Sequence, residues 1–211
     1  MLEERCKKCR RAGEKLFLKG EKCISVKCPV SRKPYAPGKQ GKKKGRRGFG
    51  GGSEFAVQMK EKQKIKFGYG LREAQLATYV KEATKLSGEK TPARLLELLE
   101  MRLDNIVFRM GLADSRNASR QLVSHGHITV NGRKVSIPSY QAKVGSKISI
   151  RTQSAANKYF KDLDTKLKKY NPPAWITLDK TTKEAGIVGK PDLASSGIKK
   201  GLDTLLEFYS R

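Results

Sequence analysis

Residues 115–137 read SRNASRQLVSHGHITVNGRKVSI, and the spacing of apolar residues changes within this stretch. In residues 115–124 apolar side chains recur at the spacing of an amphipathic helix, and a glycine follows where such a helix would end. From Ile128 to Ile137 apolar and polar residues alternate, which is typical of strands. Asn131-Gly132 supplies two residues that readily adopt positive φ. The stretch therefore predicts a helix followed directly by a β-hairpin.

The same kind of pattern extends on both sides of this stretch. Upstream, Thr91-Pro92 is a typical helix start, and apolar residues at helical spacing from Leu95 to Met110 predict one long helix. Downstream, residues 144–150 predict a further strand. We predict that residues 91–151 form a compact module of two helices followed by a small antiparallel β-sheet.

The flanking residues indicate a second, helical domain. Leu76, Val80 and Ala83 recur at helical spacing and predict a helix that closes before Gly88. We expect residues 53–90 and 152–211 to build a helical body domain with a C-terminal tail, with the 91–151 module inserted between them. The predicted fold class is α+β.

The charge of the chain limits what it can bind. Its 46 Lys and Arg residues outnumber 20 Asp and Glu residues, which leaves a formal charge of +26. A chain of this charge needs a polyanionic partner. No run of apolar residues is longer than three, so we expect no membrane span, no secretory signal and a soluble cytoplasmic protein.

Residues 38–52 combine glycines with positive charge and contain no acidic residue. Such a composition buries too little apolar surface to order itself alone, so we expect a flexible basic arm that contacts a polyanion. A plain linker is the alternative. The arm's candidate RNA-binding residues are Lys42, Lys43, Lys44, Arg46 and Arg47.

The cysteines point to a metal. Cys6, Cys9, Cys23 and Cys28 follow the spacing C-x2-C-x13-C-x4-C, in which two ligand pairs are separated by a loop. We expect one structural zinc to staple residues 1–37, because four protein ligands leave no open position for catalysis. Four unliganded thiols are the alternative.

A second group of candidate residues suits contact with RNA. Arginine binds phosphate through two hydrogen bonds and stacks on bases, and we expect a phosphate-contacting face formed by Arg102, Arg109, Arg116, Arg120, Arg133 and Lys134. Solvated surface charge is the alternative for any one of them, and Asp104 is expected to be a structural partner. His125 and His127 are predicted to be structural or to contact RNA. Neither histidine has a nucleophile or carboxylate partner at a catalytic spacing, so we expect no enzyme and no small-molecule substrate.

Several motifs resemble a known family, that of the fourth protein of the bacterial small ribosomal subunit. The resemblance rests on RLDNIVFR at residues 102–109, Ser115-Arg116 and QLVSHGHITVNG at residues 121–132. This module resembles one shared with tyrosyl-tRNA synthetases and pseudouridine synthases. The flanking segments are similar to the ribosomal family itself: PYAPG at 34–38, KEKQK at 60–64, YGL at 69–71 and EFYSR at 207–211.

The resemblance implies a structural constituent of the small ribosomal subunit. Such a protein binds small-subunit ribosomal RNA early, nucleates the body of the subunit, and contacts the fifth small-subunit protein at an interface linked to translational accuracy. It also implies a zinc-binding, cysteine-containing variant of the family, residence in the cytoplasmic ribosome and, more weakly, binding to its own mRNA. The rival hypotheses are an RNA-modifying enzyme that carries the same module and a zinc-containing regulator that binds nucleic acid.

Overall fold

A computed structural model describes residues 2–38, 53–85, 90–160, 163–193 and 198–210. The chain divides into two compact units. The first unit contains Met1–Ser87 and Ile198–Arg211, and the second contains Gly88–Gly197. Across the described residues, no helix is long and apolar enough to cross a membrane.

The first unit is helical. Its elements are α1 (Leu2–Ala12), α2 (Glu21–Ile24), α3 (Pro29–Arg32), α4 (Glu54–Gly68), α5 (Glu73–Thr84) and the last helix of the chain, α10 (Lys199–Ser210). Helix α10 packs along α4 and also contacts α5, while α1 packs against α3 and α4. Leu76, Val80, Leu202 and Leu205 are buried in this unit. The helix predicted from Leu76 to Ala83 is therefore confirmed as α5.

Polar groups also hold the first unit together. The buried ammonium group of Lys62 on α4 lies 2.5 Å from the Glu73 carboxylate on α5 and 4.3 Å from the centre of the Phe208 ring on α10. Tyr209 on α10 donates a hydrogen bond of 2.8 Å to the same carboxylate. One buried cation thus joins three helices, because it has both an anionic and an aromatic partner.

The second unit begins with three helices: α6 (Thr91–Glu100), α7 (Leu103–Arg109) and α8 (Arg116–Ser124). The prediction of one long helix from Thr91 to Met110 is wrong. The helix is interrupted at Arg102, whose backbone is extended, with φ of −68° and ψ of 137°. Arg102 pairs with Gln141 in an isolated β-bridge, and the N–H of Leu103 donates to the carbonyl of Tyr140. These bonds to a distant segment replace helical ones, so the helix cannot continue through Arg102.

The second unit also contains a five-stranded antiparallel sheet. Its strands are β1 (Ile128–Val130), β2 (Arg133–Lys134), β3 (Lys147–Ile150), β4 (Ile176–Asp179) and β5 (Glu184–Ile187), in the spatial order β2-β1-β3-β5-β4. Asn131 and Gly132 have φ of 49° and 77°, which confirms the predicted hairpin turn. The hairpin is shorter than expected, because its second strand ends at Lys134.

The structure differs from the expected domain boundary at residue 151. Residues 152–193 belong to the second unit rather than to the helical one. Strand β5 pairs with β3 in the register Lys147↔Gly186, and α9 (Leu163–Lys168) adds Leu163 and Leu167 to the core of the same unit. The reason is physical: β3 would otherwise be an exposed sheet edge, and the segment after residue 151 covers it.

Candidate nucleic-acid interface

Helix α8 brings two arginines of the second unit to the surface. Ser115 begins the helix, because its Oγ accepts a hydrogen bond of 3.3 Å from the N–H of Ala118. Arg116 and Arg120 lie one helical turn apart, so their side chains leave α8 on the same side. These side chains are 22% and 39% exposed, respectively. The expectation that α8 presents both arginines at the surface is confirmed.

A buried carboxylate, Glu100, lies at the end of α6 beneath these arginines and is 2% exposed. Arg109 donates to both of its oxygens, with distances of 2.9 Å from Nε and 2.7 Å from Nη2. The Arg116 Nη2 atom lies 3.8 Å from Glu100 Oε1. Arg109 is therefore only partly available at the surface, since one side of its guanidinium is bound to a carboxylate.

Arg102 was expected on the phosphate-contacting face, and the structure corrects this. Its side chain is fully buried, and it donates to both oxygens of Asp104 at 3.0 and 2.6 Å. The structural role expected for Asp104 is confirmed by this pair. A buried guanidinium bound to a buried carboxylate cannot reach a phosphate without unfolding its surroundings.

The two histidines lie where α8 ends and β1 begins. His125 is exposed, whereas His127 is half-buried and its Nδ1 lies 3.0 Å from the Oγ of Ser154. The rings of His127 and Phe160 meet edge to face with centroids 6.0 Å apart. His127 therefore has structural contacts, and His125 remains a candidate for contact with RNA.

The hairpin adds further positive charge. Arg133 and Lys134 on β2 are exposed, as predicted. Sequence reasoning missed Lys143 and Lys147, which are also exposed on the same unit. The alternation of Lys147 with the buried Ile148 is the signal that could have identified the second of these, because neighbouring residues of a strand point to opposite faces.

The candidate residues of the basic arm, Lys42, Lys43, Lys44, Arg46 and Arg47, lie outside the described residues. Their contact with RNA stays a prediction.

The four cysteines surround one cavity of about 350 Å³ in the first unit. Burial raises the pKa of the Cys9 thiol, a hydrogen bond from the backbone of Leu16 partly offsets this, and the neighbouring thiols of Cys6, Cys23 and Cys28 raise it further. In the ranges that the structure describes, no group of three or more His, Cys, Asp or Glu side chains is arranged to hold a metal ion. The structure thus gathers the thiols around one cavity without forming a coordination sphere.

Two family models match the chain. The ribosomal protein S4/S9 N-terminal domain matches residues 1–100, and the S4 domain matches residues 101–148. The chain is also 43% identical over 206 residues to the small ribosomal subunit protein uS4 of Heliobacterium modesticaldum, covering 98% of this chain and 96% of that protein. It is 41% identical over 206 residues to the proteins of the same name from Halothermothrix orenii and Thermus thermophilus, with the same coverage.

Proposed function

Since the chain belongs to the family of the small ribosomal subunit protein uS4, we propose that it binds small-subunit ribosomal RNA with the surface formed by α8 and the β1–β2 hairpin. It is a structural protein of the cytoplasmic ribosome and not an enzyme. The RNA-modifying enzyme and the nucleic-acid-binding regulator considered from the sequence have no support among relatives that align with 98% of the chain.

The observation that carries this proposal is the set of exposed and partly exposed cations on α8 and β2 of the second unit. Arg116 and Arg120 leave α8 on one side, and Arg133 and Lys134 are exposed on β2. Guanidinium groups bind phosphate oxygens through paired hydrogen bonds and stack on unpaired bases, both of which folded RNA offers. The formal charge of +26 adds a long-range attraction to the same partner.

A salt titration tests the proposal. We expect binding to the 5′ part of small-subunit ribosomal RNA to weaken on the order of 10⁴-fold when salt is raised fourfold, if about ten phosphates are contacted. An unrelated structured RNA and duplex DNA of equal length serve as controls and should bind more weakly at every salt concentration. Equal affinities for all three would leave only a generic binder of polyanions.

The finer roles implied by the family are also proposed. We propose that the chain nucleates assembly of the subunit body, contacts the fifth small-subunit protein at an interface that affects decoding accuracy, and binds its own mRNA. Subunits reconstituted without this protein should lack the body proteins that join later. A labelled fifth protein should bind particles that contain this chain more tightly than particles that lack it, and equal binding would contradict the contact.

We further propose that Cys6, Cys9, Cys23 and Cys28 hold one structural zinc. The proposal is supported by the one cavity that all four thiols line, because a cation placed among four thiolates would neutralise their mutual repulsion. The bound ion would cross-link α1 to the α2–α3 segment.

Metal analysis of protein purified under reducing conditions should find one zinc per chain. Cys9→Ser should lose the metal and lower the stability of the first unit, whereas Ser25→Ala, beside the same cavity, should keep it. Absence of stoichiometric metal in the parent protein would refute the site.

A further inference from the structure

We propose that Glu100 and Asp104 are positioning residues, which fix the guanidinium groups of Arg116 and Arg120 in the orientation that binds RNA. The inference rests on the proposed RNA-binding function and adds that two buried carboxylates orient the arginines that bind RNA. Glu100 is 2% exposed and Asp104 is 4% exposed, so neither carboxylate can contact RNA directly. Each one lies 3.8 Å from one arginine of α8, Glu100 from Arg116 and Asp104 from Arg120.

The connection from Glu100 to Arg116 runs through a buried amide. The Nδ2 of Asn105 donates to Glu100 Oε2 at 2.7 Å, and its Oδ1 accepts from the Nε of Arg116 at 2.7 Å. Asn105 is 1% exposed, so its amide is held inside the unit. Arg116 also lies over the ring of Phe108, with 4.8 Å from its Cζ atom to the ring centre. A hydrogen bond along one edge and an aromatic ring against one face together determine the plane of this guanidinium.

The connection from Asp104 to Arg120 is direct. Asp104 Oδ2 accepts from the buried Arg102 at 2.6 Å, and Arg120 Nη1 lies 3.8 Å from the same oxygen. Arg102 thus holds the carboxylate in place, and the carboxylate attracts Arg120 without closing a tight ion pair. Arg109 holds the Glu100 carboxylate as Arg102 holds that of Asp104, because it donates to both of its oxygens.

The charges of this group favour binding at the surface. Two buried carboxylates face four guanidinium groups, and the paired hydrogen bonds to them come from Arg102, which is fully buried, and from Arg109, which is 30% exposed. Arg116 and Arg120 on α8 make only the longer contacts of 3.8 Å to these two carboxylates. Holding these long side chains in one orientation removes part of the entropy that binding RNA would otherwise cost, which is worth roughly two- to tenfold in affinity per arginine.

The test is a double-mutant cycle on RNA affinity. Glu100→Gln keeps the shape of the side chain and removes its charge, and we expect it to weaken binding to 5′ ribosomal RNA about two- to tenfold. In an Arg116→Ala background the same substitution should have little further effect, because the residue through which it acts is gone. The matched control is Glu97→Gln on the same helix, whose carboxylate pairs with Arg94 and Lys190 instead, and it should leave RNA affinity unchanged.

A second variant leaves the buried carboxylates intact. Arg116→Lys keeps the positive charge but lacks the Nε that Asn105 binds, so we expect it to lose most of the affinity that Arg116→Ala loses. Parental affinity in Arg116→Lys, or equal effects of Glu100→Gln in the two backgrounds, would overturn the positioning role while the proposed function stands. If the parent protein binds ribosomal and unrelated RNA equally, the proposed function itself fails.

Discussion

The fully buried guanidinium of Arg102 shows what a single residue can contribute to this fold. Its Nε and Nη2 bind the two oxygens of Asp104, which is itself 4% exposed. A charge in the interior is tolerated only when it is paired and its hydrogen bonds are made. Arg102 therefore belongs to the internal scaffold, whereas Arg120, which approaches the same carboxylate from outside, belongs to the surface.

This difference gives a prediction at the residue scale. Arg102→Ala leaves Asp104 buried without its main partner and should lower the free energy of unfolding by about 3–5 kcal/mol. Arg120→Ala removes a partly exposed pair and should cost less than about 1 kcal/mol. Denaturant titrations measure both. If Arg102→Ala is as mild as Arg120→Ala, the buried pair does not support the fold.

At the scale of elements, the last helix is attached to the first unit by polar contacts as well as by its apolar face. The Glu73 carboxylate on α5 forms ion pairs with Lys62 and Lys66 of α4 and accepts a hydrogen bond from the hydroxyl of Tyr209 on α10. Partial burial alone would raise the pKa of the Glu73 carboxyl, but hydrogen bonds from Lys62, Lys66 and Tyr209 outweigh it and lower that pKa to about 2.

The stability of the first unit should therefore depend on pH. Because the folded-state pKa of Glu73 lies below its ordinary value of 4.5, the stabilisation is present above about pH 4.5 and is lost as pH falls towards 2. Glu73 is 47% exposed, so solvent screening limits the effect to about 1 kcal/mol. In Glu73→Gln the free energy of unfolding should fall less steeply than in the parent protein as the pH drops from about 4.5 towards 2. Tyr209→Phe removes one hydrogen-bond donor and should reduce this pH dependence only in part. An unchanged pH dependence in Glu73→Gln would contradict the assignment.

Gly111 follows α7 and Gly132 lies in the turn between β1 and β2, and the two glycines differ in how closely other residues approach them. Gly111, with φ of +78°, and Gly132, with φ of +77°, have the same left-handed backbone. A Cβ on Gly111 would lie 2.8 Å from the Tyr170 ring, whereas one on Gly132 would meet open space. Tyr170 cannot easily withdraw, since its hydroxyl donates to the carbonyl of Arg109 at 3.0 Å.

Alanine at these two positions should therefore have different effects. Gly132→Ala should cost about 1–2 kcal/mol of unfolding free energy from backbone strain alone. Gly111→Ala adds the clash with the ring and should cost at least about 1 kcal/mol more. Thermal or denaturant unfolding compares the two variants. Equal losses would mean that Tyr170 does not cover the end of α7.

At the scale of the whole molecule, the second unit needs chain that lies far beyond the stretch that identifies it. Phe160, Leu167, Trp175 and Ile187 belong to the same core as Ile106 on α7. Strand β5 also covers the edge of β3 that would otherwise be open. The unit is thus larger than its recognisable motif, because the motif alone cannot bury its own apolar surface.

Fragments of the chain test this extent. Residues 88–197 should fold with a single cooperative transition, whereas residues 88–151 should lack one and expose apolar surface, since they lose part of the core and the two strands β4 and β5. Circular dichroism during thermal unfolding and binding of a hydrophobic dye distinguish the two fragments. A cooperative transition in the shorter fragment would restore the boundary expected from the sequence.

The sequence by itself determined the features that depend on neighbouring residues. Helix α8 with its Ser115 cap and the Asn131-Gly132 turn follow from local spacing and local hydrogen bonds. The polyanionic class of partner follows from the formal charge of +26, which needs no fold. The zinc expected from the cysteine spacing stays a prediction.

Only the tertiary structure decided which residues far apart in the chain meet. The break at Arg102 depends on backbone bonds to Tyr140 and Gln141, and the strand that covers β3 lies near residue 186. The full burial of Arg102 was equally hidden, because the sequence predicted a continuous helix through this position with Arg102 on the phosphate-contacting face. Burial and pairing are properties of the assembled core, and they are set by long-range contacts that no local period encodes.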